Sequence, residues 1–428
     1  MALIPHYFMI LTAQIILTMQ AGAAPLVDGA VVINRGTIIA VGPSSRLLKQ
    51  YPGHPVRTLQ NAVLMPGLVN AHTHLELPPL LTSIQARTFP DWVINLIKAK
   101  RSLSDKDYCT AATRNVRSII ESGATCVGEI CTQGVSPGIL KRSRMRARIF
   151  HELIDMSRHC GSGADGGEPG LLSRINKLLS RETACIRMGL SPHAPHTVST
   201  AALLSISKIA GKKGLPLCMH VAESRDELKL LQGRKSGFEK LYQAAGWDLA
   251  WSPSAASPFQ YLNNLGLLGP GFLAVHAVHA TDSDIKLIGN SGTPVAHCPR
   301  SNRETGVGRM PLHKLLKAGI TVGLGTDSLA SSPSLNLWDE MRYTFHSHKA
   351  DGITARTIME LATRGGAKAL GMADDIGSLT SGRKADLIAV SLPNRSSGEL
   401  HYDLLRETKS CMISLVNGKI IYKSDLPA

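Results

Sequence analysis

The chain has 428 residues, longer than one ordinary compact domain and suited to a large barrel with a smaller domain appended. Hydrophobic residues make up 43% and charged residues 18%, which argues against disorder throughout. A formal charge of +15 raises nucleic-acid or membrane binding, but the cationic residues are dispersed and aromatics reach only 4%, too few for a base-stacking surface.

In chain order, the first question is "YFMILTAQIILTMQAGAAP" at 7–25, an apolar stretch with small residues like those of a cleavage site. No Lys or Arg precedes it, and it leads into "LVDGAVVINRGTIIAVGP", two β-rich runs joined by an "NRG" turn. The region therefore reads as a β-meander and not as a signal peptide. Eight apolar runs of strand length follow: "GLVNAH" (67–72), "ATCVGEI" (124–130), "ARIFHEL" (147–153), "CIRMGLS" (185–191), "LPLCMHV" (215–221), "FLAVHAV" (272–278), "TPVAHCP" (293–299) and "ITVGLGTD" (320–327). Helical patterns separate them, such as "SDKDYCTAATRNVRSIIESG", with Ser104 and Gly123 as its caps. Repeated strand–helix alternation is the pattern of a (β/α)8 TIM barrel, placed at 66–373. Residues 374–428 return to β character, with "VNGK" as a hairpin turn, and pair with 1–65 as a composite β-sandwich built from both chain ends.

The eight cysteines (109, 126, 131, 160, 185, 218, 298 and 411) form no CxxC pair, so they read as reduced thiols and point to a cytoplasmic location. The tightest basic cluster, "KRSRMRAR" at 141–148, is too isolated to make a nucleic-acid surface. No segment reaches transmembrane length.

Chemistry in a barrel sits at the C-terminal ends of its strands. His72 and His74 end the first predicted strand, His193 follows the fourth, and His220 ends the fifth with Glu223 three residues on. His276 and His279 end the sixth, His297 the seventh and Asp327 the eighth. Seven of the sixteen histidines and a carboxylate thus fall at strand ends, a donor set suited to Zn²⁺ or Fe²⁺ with a position left open for water. Such a cation turns water into a nucleophile at neutral pH. Neither HExxH nor the HxE…PCxxC signature is present.

"HTH" at 72–74, "HVAE" at 220–223, "AVHAVH" and "GTDS" at 325–328 resemble the amidohydrolase superfamily over essentially the whole chain. The resemblance implies a single divalent cation, Zn²⁺ or Fe²⁺, held by His72, His74, His220 and Asp327. Binuclear members carry a lysine at the end of the fourth strand, which this chain lacks. It also implies Glu223 as proton shuttle, His276 as the group that orients water, and Asp327 as both ligand and proton acceptor. "GLSPHAPHTVS" resembles the segment of adenosine-type deaminases that sets His193 against a nucleoside; relatives often have tyrosine at the position of His196. "HTHLELPPL…FPDWV", "AHCPRSN" and "GTDSLASSPSLNLWDEMR" look closest to aminodeoxyfutalosine deaminases of menaquinone biosynthesis. S-adenosylhomocysteine and methylthioadenosine deaminases typically have glycine at the position of Ser328. On this reading Glu76, His193, Arg300 and Ser328 meet the substrate, with Arg300 facing a carboxylate. The alternatives are deamination of S-adenosylhomocysteine, methylthioadenosine or adenosine, triazine-type chlorohydrolysis and, remotely, basic nucleic-acid binding. The expected partner is a small adenine nucleoside, with no nucleic acid or membrane; a homodimer is compatible with the sequence.

Overall fold

The computed structural model describes residues 8–84, 86–154, 167–245, 247, 255–393 and 397–424; Cys160 lies outside them. Within the apolar stretch that begins the chain, Phe8–Ile16 forms the strand β1, as the meander reading expects. β2 (Leu26–Asn34) and β3 (Thr37–Pro43) form the predicted hairpin. Arg35 and Gly36 make its turn with φ of 48° and 78°, the left-handed pair that matches the twist of adjoining strands. β4 (Val56–Pro66) then runs parallel to β1 and enters the barrel.

The barrel strands are β5 (Leu68–Thr73), β6 (Ala124–Cys131), β7 (Arg146–Leu153), β8 (Ile186–Pro192), β9 (Leu217–Val221), β10 (Phe272–His276), β11 (Val295–His297) and β12 (Val322–Leu324). They form one eight-stranded sheet in chain order, each parallel to the next, and coincide with the eight predicted runs. Every residue of β6 is buried, because helices cover the outside and side chains fill the inside. The first and last strands close through the Thr73–Asp327 bridge, with Thr326 N–H and Asp327 N–H donating to the His72 carbonyl at 3.0 and 3.1 Å.

Helix Asp105–Ser122 illustrates how local sequence sets an element. Ser104 and Asp107 make a reciprocal capping box, worth about 1 kcal/mol, and Gly123 ends the helix at φ 98°. Its buried stripe includes Ala112, Val116 and Ile119. Trp338 donates from Nε1 to the Ser122 carbonyl at 2.8 Å, pinning the helix Leu337–His348 to this one.

β13 (Leu387–Ser391), β14 (Ile413–Val416) and β15 (Lys419–Lys423) complete the second domain. Together with β1–β4 they make one seven-stranded mixed sheet, order β15-β14-β13-β4-β1-β2-β3, drawn from both chain ends as predicted. Asn417-Gly418 turns the last hairpin. A buried ion pair joins the two domains. Arg146, at the start of β7, donates from Nε and Nη2 to the Asp386 carboxylate at 2.6 and 3.0 Å, and from Nη2 to Asn417 Oδ1 at 2.7 Å. Seven free cysteines are described, and among the described residues no helix is long and apolar enough to cross a membrane.

Candidate metal centre and active site

The C-terminal ends of β5, β9, β10 and β12 converge. Residues there adopt left-handed backbone that non-glycine residues avoid: Ala222 (φ 53°), His276 (72°), Ala277 (46°) and Asp327 (58°). Each such residue costs about 1–3 kcal/mol and persists only where its surroundings over-determine it, as at active sites. In "GTDS", a Cβ at Gly325 would lie 2.8 Å from the His72 carbonyl oxygen and 2.9 Å from Cys298 Sγ. Glycine is what lets β12 come this close to β5.

The segment "NAHTH" at 70–74, at the end of β5, divides its labour. Asn70 donates from Nδ2 to Thr326 Oγ1 at 2.8 Å, and Thr73 donates to the Asp327 carbonyl at 3.0 Å. These two residues staple the barrel shut. His72 and His74 face inward with His220, and their ligand atoms all lie within 4.8 Å of one another. Nε2 of His72 and Nε2 of His220 are 3.3 Å apart, while Asp327 Oδ1 stands 3.8 Å from His72 Nε2 and 3.5 Å from His74 Nε2. Two nitrogens bound tetrahedrally at about 2.0–2.1 Å are separated by about 3.3 Å, so the spacing suits zinc. His220 Nδ1 lies 2.9 Å from the His193 carbonyl, an arrangement that puts the proton on Nδ1 and leaves Nε2 as a lone pair. Burial drives the His72 and His74 rings below the usual imidazole range, so both are neutral and available as ligands. Among the described residues this is the one cluster of three or more such donors. The residues present therefore fit a single divalent cation, and β8 offers no lysine for a second.

The remaining groups surround this centre. Asp327 Oδ2 accepts hydroxyl bonds from Ser301 at 2.5 Å and Ser331 at 3.1 Å. Burial alone would raise its pKa, but the His74, His276 and His220 rings and the Ser301 hydroxyl hold it below the usual carboxylate value. Glu223 behaves oppositely: burial, with Asp327 and Glu227 nearby, pushes its carboxyl well up, so it keeps a proton. Its Oε1 is 3.5 Å from His276 Nε2, which is also 3.9 Å from Asp327 Oδ2. Burial takes the His276 ring down to about 4. The backbone carrying Glu223 is fixed by Glu227, whose carboxylate accepts from Ala222 N–H at 3.0 Å and Glu223 N–H at 2.9 Å.

His193 sits half-buried beside His220, ring centroids 4.9 Å apart, with Nδ1 2.8 Å from Thr197 Oγ1. Ser328 is buried; its hydroxyl accepts from Ala330 N–H and lies 3.3 Å from Ser331 Oγ. Two residues expected to meet substrate are otherwise engaged. Glu76 is buried and accepts backbone N–H bonds from Thr132, Gln133, Val135 and Ser136 at 2.6–3.0 Å, so its carboxylate organises the loop after β6. Arg300, 7% exposed, donates to Ser334 at 2.9 Å and lies 3.5 Å from Asp339 and 3.7 Å from Glu340. Its charge is met by the chain itself, which corrects the expectation that it awaits a substrate carboxylate. His279 lies 2.9 Å from the Val307 carbonyl, and His196 stacks on Phe238 at 4.3 Å; both hold structure.

Sequence reasoning missed Ser301, Ser331, Asn302 and Glu152. The first three carried a signal, the "SN" of "AHCPRSN" and the serines after "GTD", but no pattern told which neighbour each would meet. Glu152 ends β7 and accepts from Thr132 Oγ1 at 2.7 Å; against the cost of burial, His193, His74 and Lys100 hold it down to about 2.

Comparison with known proteins agrees with this geometry. The amidohydrolase family model matches residues 63–421. A 5-methylthioadenosine/S-adenosylhomocysteine deaminase of Syntrophobacter fumaroxidans is 32% identical, over 89% of this chain and 84% of its own. One from Pelotomaculum thermopropionicum is 29% identical, over 95% and 91%. Among solved structures, a zinc-bound adenosine deaminase from Xanthomonas campestris superposes with a TM-score of 0.82 and 26% identity, covering 98% of this chain and 94% of that one. The Helicobacter pylori aminofutalosine deaminase in complex with methylthio-coformycin shares the fold, with a TM-score of 0.86 and 24% identity over 96% and 99%. The chain belongs to the amidohydrolase family.

Proposed function

We propose that the protein is a hydrolytic deaminase that replaces the exocyclic 6-amino group of an adenine nucleoside by oxygen and releases ammonia. The observation that carries this reading is the placement of Glu223 Oε1 at 3.5 Å and Asp327 Oδ2 at 3.9 Å from the same His276 Nε2, beside three clustered imidazoles. A divalent cation held by His72, His74, His220 and Asp327 would lower the pKa of a bound water toward 7. Zinc is the expected ion, as in the Xanthomonas neighbour.

Everything else falls to the chain's own side chains. Asp327, kept ionised, takes a proton from the attacking water. Glu223, kept protonated, gives its proton to the ring nitrogen as the C6–O bond forms, which makes C6 electrophilic. His276 Nε2 orients the water between these two carboxyl groups. The C6–N bond then breaks: the amino group leaves as ammonia with the proton that Asp327 collected, and the remaining hydroxyl proton returns to Glu223 as C6=O forms. Two titratable groups driven apart by their surroundings divide the acid and base roles. A chlorohydrolase has less need of a protonated Glu223, so the geometry favours deamination. His193, half-buried beside His220, is the side chain best placed to touch the nucleoside.

Two substrate readings share this chemistry. The named relatives support thioether nucleosides, methylthioadenosine and S-adenosylhomocysteine. The "AHCPRSN" and "GTDSLASSPSLN" segments support aminodeoxyfutalosine, although Arg300 no longer argues for its carboxylate. The test is ammonia release by the zinc-loaded protein from these three compounds and adenosine. Turnover of at least one is expected, and the ratio of kcat/KM values assigns the substrate. If none releases ammonia while the protein binds zinc stoichiometrically, deamination is the wrong reaction.

A further inference from the structure

Beside the end of β11 lies a cavity of about 330 Å³ whose buried wall includes His297, Asn302 and His348. Several polar atoms there are buried without any hydrogen-bond partner: both ring nitrogens of His297, Nδ2 of Asn302 and Nε2 of His348. Buried polar groups are satisfied by protein or by ordered water, and a cavity of this size has room for water beside these atoms. Asn302 is also the residue that reaches the other way. Its Oδ1 is 2.8 Å from Nδ1 of His276, and the opposite nitrogen of that ring faces Glu223 and Asp327.

An amide can offer an imidazole either its oxygen or its nitrogen, so what lies at its far end decides which. At the far end, beside Arg303 and Arg309 on the cavity wall, stand two imidazoles that can accept. His348 Nδ1 lies 2.9 Å from Asp351 Oδ2; donating there leaves Nε2 as a lone pair toward the cavity. His297 is buried and neutral, with one lone pair of its own. Water on these rings would accept from an N–H₂ group, an arrangement that matches the observed amide, with Oδ1 2.8 Å from His276 Nδ1 and Nδ2 left without a protein partner.

We infer that Asn302 is a positioning residue for His276, its amide oxygen holding the ring proton on Nδ1 so that Nε2 presents a lone pair to the reacting water, with the cavity waters bound to His297 and His348 keeping the amide in that orientation. The role of His276 itself rests on the reaction proposed above. Asn302 touches no reacting atom and acts only through the ring.

The test reads the ring directly. In zinc-loaded protein labelled with ¹⁵N-histidine, the His276 signals, assigned by their loss in His276→Gln, should report the Nδ1-protonated tautomer. Asn302→Asp, whose carboxylate can only accept, should keep that tautomer and most of kcat. Asn302→Leu should mix the tautomers and lower kcat about 10- to 100-fold, with KM and zinc content near wild type. His297→Phe, which displaces the cavity water, should shift the tautomer the same way. The inference is overturned if Asn302→Leu leaves the ring shifts and kcat unchanged, or if Asn302→Asp loses as much as Asn302→Leu, because the amide would then act as a donor. Should Asn302→Leu fail to fold, Asn302→Asp and His297→Phe decide the matter by the same shifts. If no nucleoside is turned over, the tautomer is still read without substrate, so failure of the reaction and failure of this inference are distinguishable.

Discussion

Ser301→Ala tests how the protein orients Asp327, the proposed fourth metal ligand. Asp327 Oδ2 is tied by the Ser301 hydroxyl at 2.5 Å and the Ser331 hydroxyl at 3.1 Å, which leaves Oδ1 turned toward His72 and His74. Ser301 is fully buried, so no bulk water stands ready to replace its hydroxyl. A hydrogen bond to a charged group contributes about 1.5–3 kcal/mol net. At about 1.4 kcal/mol per decade, its loss should weaken zinc binding about 10- to 100-fold, the range expected for groups that orient metal ligands. Competition against a chelator measures the affinity, and the circular dichroism of the zinc-loaded variant checks that the fold is intact. Ser331→Ala serves as the comparison: its longer bond should cost less, about three- to tenfold. Zinc affinity of Ser301→Ala within about twofold of wild type, or a larger loss in Ser331→Ala, would refute the reasoning that Ser301 carries the orientation of Asp327.

The other predictions concern stability and the metal. Arg146→Met strands the Asp386 carboxylate, 1% accessible, and should cost about 3–5 kcal/mol; Asp386→Leu should cost a similar amount, and the double variant far less than their sum. Urea midpoints measure all three, and additive losses would mean that the pair is not coupled. Glu227 offers a pH signature. Burial raises its folded pKa to about 7, above its ordinary 4.5, so its stabilising contribution is complete below about pH 4.5 and is lost as pH rises through about 7. The melting temperature of wild type relative to Glu227→Gln should therefore fall between those pH values; a flat or rising difference contradicts the sign. His220→Ala removes a proposed ligand atom 3.3 Å from His72 Nε2 and should abolish stoichiometric zinc binding, and one retained equivalent would take His220 out of the ligand set.

Most of the framework was legible because its signals are local. Barrel strands such as β6 are buried on both faces, so their sequences are mostly apolar, as Ala124, Cys126, Val127, Ile130 and Cys131 are. The capping box at Ser104 and the Asn417-Gly418 turn are set by residues within a few positions of one another. The strand-end histidines and Asp327 were legible for a related reason: a barrel brings all its strand ends to one rim, so a register along each strand converts directly into a place in the site. Glu76 and Arg300 were misjudged because their partners lie 56–60 and 34–40 residues away, and nothing in their own neighbourhood announces the N–H groups or carboxylates that claim them. Asn302 was passed over for the same reason.

The amino-acid sequence by itself determined the barrel, the composite sheet and the place of the strand-end histidines and Asp327 on its rim, since periodicity, turn chemistry and strand ends act over short distances. Only the tertiary structure decided the charge states and allegiances of those groups. Burial raises the Glu223 carboxyl, the Ser301 and Ser331 hydroxyls hold Asp327 Oδ2 among the imidazoles, and an amide 26 residues from His276 takes hold of its ring. Those outcomes depend on desolvation and on which distant atoms come within hydrogen-bonding reach, and both quantities exist only once the barrel has closed.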